Sequence, residues 1–175
     1  LQFGLLLFML AAGLTLVFGI MDLVNLAHGS LYMIGAYFAA TFVSWTDSFV
    51  VGAALALGAT LIVGMLMEVV ALRPLYGRDH LDHVLGTFGL ILFFNELVRI
   101  IWGPASVYMN APEALSGTVT LLGFGYPAYR FAIIAAGLAV GIGLYWLIHR
   151  TRVGMLIRAG ATKPEMVSAL GVNVG

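Results

Sequence analysis

A chain of 175 residues with 62% hydrophobic and only 9% charged side chains departs far from soluble usage, where about a quarter of residues are charged; with a mean hydropathy of +1.05 it reads as an integral membrane protein. Eight basic residues balanced by eight acidic ones argue against nucleic acid as a partner, because phosphate neutralisation needs clustered Lys and Arg. The absence of cysteine removes disulfides and thiolate metal ligands.

The sequence opens at Leu1 without an initiator Met and stops at Gly175 after a polar segment. It is therefore read as a fragment, incomplete at both ends, of one transmembrane domain over residues 1–175. A helix crosses the hydrocarbon core with about 20 apolar residues at 1.5 Å rise each. Five runs qualify: Phe3–Met21, Leu23–Trp45, Phe49–Met67, Val84–Trp102 and Phe131–Ile148. The expected fold is all-α, a polytopic transmembrane helix bundle with about five membrane segments.

The first run lacks the basic leader of a signal peptide and continues directly into more apolar sequence, so a span is expected. The second is the most unusual. Asp22, Asn25 and His28 recur every three residues, which on a helix brings them toward one face, and Gly29, Ser30 and Gly35 follow. These residues predict a break or re-entrant bend, a conformation tolerated at membrane depth only where lipid is excluded. Asp22 reads either as a marker of the turn between the first two spans or as part of a wet cavity, since an ionised group at the bilayer centre costs roughly 2.5–3.5 kcal/mol. Asn25, His28 and Ser30 supply more hydrogen-bonding groups than a turn requires, and Gly29 lets a ligand or another helix approach the backbone. Asn25, His28, Gly29, Ser30 and Tyr32 are the candidate substrate-pathway residues.

In the third run Gly52, Ala56, Thr60 and Gly64 recur every four residues, and in the fifth Gly137 and Gly141 form a small-xxx-small pair. Both patterns let helices approach closely in lipid, within one chain or between two. Glu68 closes the third run as an interfacial anchor beside Arg73. His80 and His83, with Asp79 and Asp82, read as a solvated loop, and only secondarily as a fragment of a metal site. Glu96 and Arg99 are expected to pair at i, i+3. Between the last two spans, Thr118–Leu122 followed by Gly123 and Gly125 predicts a short hairpin.

Arg73 and Arg78, and later Arg150, Arg152, Arg158 and Lys163, put the 73–83 loop and the C-terminal segment in the cytoplasm by the positive-inside rule. The only lysine, Lys163, lacks the glycine spacing of a phosphate-binding loop, so nucleotide hydrolysis by that route is not expected. Thr162-Lys-Pro-Glu165 is a capping-box pattern with Pro in the first turn, and Gly171 is suited to end a short helix, Lys163–Leu170. That helix is too short to span and carries Met166, Val167, Ala169 and Leu170, an apolar tip that calls for a partner.

Taken together, Gly13-Leu-Thr-Leu-Val-Phe-Gly19, Asn25-Leu-Ala-His-Gly29, Tyr32-Met-Ile-Gly-Ala-Tyr37, Arg73-Pro-Leu-Tyr-Gly-Arg78 and the stretch from Gly154 to Asn173 resemble the branched-chain amino acid ABC transporter permeases, in particular the shorter of the two paralogous permeases. The resemblance implies a multi-pass permease in a bacterial or archaeal inner membrane. Its partners would be a second permease subunit, two ABC ATPase subunits, a periplasmic substrate-binding protein, the amino-acid substrate and membrane lipid. It further implies that the segment 150–175 couples to the ATPases through Gly154, Arg158, Ala159, Glu165, Met166, Ala169, Leu170 and Gly171. Thr162-Lys163-Pro164 departs from the less constrained stretch expected there. No cofactor and no covalent step are expected. The alternative is a self-sufficient channel or secondary transporter for small polar solutes such as urea or amides; a membrane enzyme built on His80 and His83 is a third reading.

Overall fold

The computed structural model describes residues 2–21, 25–105, 107, 116–121, 124–151 and 154–155. In chain order these form α1 (Gln2–Met21), α2 (His28–Thr46), α3 (Phe49–Met67), α4 (His80–Trp102), the strands β1 (Thr118–Leu121) and β2 (Phe124–Pro127), and α5 (Ala128–Arg150). The class is all-α and polytopic, apart from the hairpin. Among the described residues three helices are long and apolar enough to cross a membrane: Phe49–Leu75, His80–Trp102 and Ala128–Arg150.

Two compact units emerge, Leu1–Asp22 with Glu113–Gly175, and Leu23–Pro112. In the first, α1 packs against α5. The Gly137/Gly141 pair explains the contact: a methyl group at Gly137 would lie 3.2 Å from Leu5 Cβ, and one at Gly141 3.2 Å from Phe8 Cε1. With lipid as apolar as the side chains, such close backbone approach supplies the dispersion contacts that hold helices together. The expected hairpin is present, with Thr118 opposite Pro127 and Leu121 opposite Phe124. The Ala128 amide donates to the Gly117 carbonyl at 2.8 Å, joining the hairpin to the start of α5.

In the second unit α2 packs along α3, and α4 against α2. The four-residue stripe of α3 lies at the first of these contacts. An added methyl at Gly52 would lie 2.6 Å from the Val43 amide nitrogen, Gly35 is covered by Thr60 Oγ1 at 3.2 Å, and Gly64 faces Leu31. These small residues therefore serve packing within the chain. Ala27, Ile34, Met67, Leu72, Phe94 and Val98 form the buried core. At the far end, Trp102 Nε1 donates to Thr41 Oγ1 at 2.8 Å, and its ring meets Tyr37 and Phe38.

The irregular backbone expected in the second segment, Leu23–Trp45, lies at Asn25–Ala27, near its start, and from His28 α2 runs without interruption past Gly29 and Gly35. One expectation needs correction: 73–83 is not an open loop. Beyond α3 the chain continues as a π-helical turn, Glu68–Leu72, and a 3₁₀ turn, Arg73–Leu75. The α-helix cannot be prolonged there because Pro74 lacks an N–H and its ring clashes with the preceding turn. α4 then starts at His80, with Asp79 extended just before it and Asp82 in its first turn, where a carboxylate complements the helix dipole.

Candidate functional site

Asn25 organises the approach to α2. Its side chain is buried, and Oδ1 accepts a hydrogen bond from the Ala27 amide at 3.0 Å, the short-range bond by which Asn mimics a backbone turn. The Asn25 carbonyl accepts from the His28 amide, and the Ala27 carbonyl from the Ser30 and Leu31 amides. This turn satisfies buried backbone groups without lipid or water, as irregular backbone in a membrane requires.

The residues just past the turn open onto a groove of about 210 Å³, lined by Leu26, Gly29, Ser30, Met33, Ile91 and Asn95. Ser30 is 6% exposed. Of the five candidate pathway residues, Gly29 and Ser30 therefore share one groove. Asn25 shapes the turn beside it, His28 is half-buried at the start of α2, and Tyr32, 55% exposed, is not among the groove residues. Asn95 on α4 joins the site and was passed over in the sequence. The signal was available, since Asn95 follows the apolar run Leu90–Phe94 and is a polar residue inside the span Val84–Trp102. A second groove, about 340 Å³ between α1 and α5, is lined by Leu5, Phe8, Gly137, Leu138, Gly141, Ile142 and Tyr145 and offers almost no hydrogen bonds to a polar solute.

The other polar residues take structural places. Glu96 and Arg99 pair at 3.6 Å, both well exposed. Glu68 accepts from the Tyr76 hydroxyl at 2.9 Å. Burial, then the hydrogen bond and charge of Glu68, push the Tyr76 phenol up to about 12, with Arg73 acting in the opposite direction. His83 is buried rather than solvated: Nε2 donates to the Leu75 carbonyl at 2.8 Å, while Nδ1 has no hydrogen-bond partner among the described residues. A carbonyl cannot donate, so this bond places the proton of a neutral ring on Nε2. No cluster of three or more potential metal ligands occurs among the described residues.

At the end of α5, Thr151 Oγ1 donates to the Leu147 carbonyl and accepts from the Gly154 amide at 3.1 Å, while the Met155 amide donates to the Thr151 carbonyl. Gly154 and Met155 are helical again. Gly154 is buried, and a methyl there would collide with the Leu147 and Ile148 carbonyls. Asp22 and the remaining coupling candidates Arg158, Ala159, Glu165, Met166, Ala169, Leu170 and Gly171, together with the expected Lys163–Leu170 helix, lie outside the described residues.

The family model described as "Branched-chain amino acid transport system / permease component" matches residues 1–175. The high-affinity branched-chain amino acid transport system permease protein BraD of Pseudomonas aeruginosa is 31% identical over 94% of this chain and 58% of its own length. LivH of Salmonella typhimurium, described in the same words, is 28% identical over the same shares. A probable branched-chain amino acid transport permease protein LivH of Methanocaldococcus jannaschii is 29% identical over 97% of this chain and 55% of its own length. The chain thus spans little more than half the length of these curated relatives. No solved structure matches it.

Proposed function

The chain belongs to the permease family of branched-chain amino acid transport systems, and on that premise we propose that it is part of the membrane-spanning permease subunit of an ABC importer for branched-chain and other hydrophobic amino acids. The observation that carries the reading is the match of the family model along the whole chain. The apolar helices, long enough to cross a bilayer, agree with it. ABC ATPase subunits supply the energy, a second permease subunit completes the pathway, and a periplasmic binding protein delivers the amino acid. The site is the inner membrane, with the Arg73–His83 turn and the segment after Arg150 facing the cytoplasm.

Transport in this reading needs no covalent step. ATP binding and hydrolysis on the partner subunits change the relative populations of inward- and outward-facing states, and the segment 150–175 transmits the change. Thr151 and Gly154 fix the exit from α5, so movement of the following segment is passed to the helix and not absorbed in a slack linker. In the full-length protein, Gly171→Arg and Ala169→Asp should each abolish ATP-coupled amino-acid uptake while membrane insertion persists. Normal uptake in both variants contradicts the coupling role. Flux driven by an ion gradient without ATP would instead identify a self-sufficient secondary transporter.

A further inference from the structure

The helix contacts fix where α2 begins relative to the α3–α4 turn. Ile91 and Asn95, beside Ser30 in the groove, are 11 and 15 residues past His80, the first residue of α4, or about 16–22 Å along a helix rising 1.5 Å per residue. From the other side, Gly64 faces Leu31 and lies 11 residues before Leu75, the last helical residue preceding the α3–α4 turn, again about 16 Å. Both measures set the first turn of α2 about three to four helical turns from the α3–α4 turn. At the other end, the Thr41 to Trp102 bond shows α2 running parallel to α4.

We propose that the groove at the head of α2 is a subsite for the carboxylate of the transported amino acid, held by Gly29, Ser30 and Asn95; the proposal rests on the importer reading above. The N-terminus of a helix carries partial positive charge and favours an anion. The turn's own hydrogen bonds occupy the amides of Ala27, His28, Ser30 and Leu31, and the Gly29 amide is not among them. A second and independent observation points to a ligand: Ser30 as a whole is only 6% exposed and lines the groove, and no hydrogen bond of its hydroxyl is found among the described residues. That hydroxyl is not fully enclosed, so the groove is the side from which water or a ligand can reach it. Asn95 supplies two further N–H donors from α4. Leu26, Met33 and Ile91 offer an apolar wall for an aliphatic side chain beside the polar groups of the groove, which measures about 210 Å³.

Residues 1–175 contain no cysteine, which makes single-cysteine labelling a direct test. In the full-length permease co-expressed with its second permease subunit, ATPases and binding protein, with any cysteine elsewhere replaced, Ser30→Cys and Asn95→Cys are exposed to a small cationic methanethiosulfonate reagent with and without L-leucine. Leu57→Cys, at a position 74% exposed on α3, serves as the lipid-facing comparison. Both groove cysteines should react, Leu57→Cys should not, and leucine at ten times its dissociation constant should slow the groove reactions about tenfold. Ser30→Ala should also raise the KM for leucine uptake by about tenfold, the loss of one hydrogen bond to a charged group. Unreactive groove cysteines, or reaction rates indifferent to leucine while the cysteine-free parent imports it, overturn the subsite alone. Failure of that parent to import any amino acid with ATP overturns the importer reading and the subsite with it.

Discussion

At Gly52 an added methyl would sit 2.6 Å from the Val43 amide nitrogen and 2.7 Å from its Cα, a contact with backbone that no rotamer change relieves. Gly52→Ala should therefore force α2 and α3 apart and destabilise the unit by about 1–3 kcal/mol, the usual cost of overpacking; a lower thermal midpoint in detergent checks it. At Gly64 the facing Leu31 Cδ1 is 3.9 Å away, so Gly64→Ala should leave the midpoint nearly unchanged. Trp102→Phe removes the hydrogen bond to Thr41 Oγ1 but keeps an aromatic ring beside Tyr37 and Phe38, so the same assay should show a loss of about 0.6 kcal/mol, typical of interhelical hydrogen bonds in membranes. The sequence showed the small residues of α3 as a stripe because their four-residue period is written in it. It did not show which glycine is tight, since that depends on the partner helix. The same limit explains Gly35: a helical glycine that admits Thr60 at 3.2 Å has the same sequence signature as one that bends a helix.

At the scale of elements, the turn between α3 and α4 is the part least legible in the sequence. Its run Arg-Asp-His-Leu-Asp-His looked solvated by composition, yet His83 is buried, its Nε2 sharing the Leu75 carbonyl at 2.8 Å with the Arg78 amide, which donates to it at 2.9 Å. Tyr76 adds a pH signature here. Its phenol is raised from 10.0 to about 12, so the neutral, donating form is favoured in the fold; the stabilisation is fully present below pH 10 and is lost as pH rises toward 12. A tyrosinate absorbance titration of the wild type minus Tyr76→Phe should show a component ionising near 12; a component near 10 would contradict the contact with Glu68. In the segment after α5, Gly154→Ala meets two backbone carbonyls of α5 and should reduce coupled uptake severalfold with insertion preserved, as read by uptake normalised to membrane-inserted protein.

For the whole molecule, the positions of α1, α3, α4 and α5 were legible because long apolar runs have few alternatives in a bilayer. The candidate site was half legible. Polar residues before and within the second segment announced it, and they led to Gly29 and Ser30. Asn95 comes from a helix far along the chain, and only the α2–α4 contact brings it to the groove. The role of Asn25 was hidden for a related reason, since its Oδ1 closes a local turn with Ala27 and its side chain type fits a pathway equally well. The central claim is that this permease moves amino acids only when ATPase subunits drive it. The most direct measurement is L-leucine uptake into proteoliposomes holding the full-length permease purified gently with whatever accompanies it, with and without ATP, and with the binding protein supplied on the opposite side. The account predicts a stoichiometric ATPase in the preparation and uptake that requires ATP. Leucine flux by the permease alone, unchanged by ATP, would contradict it.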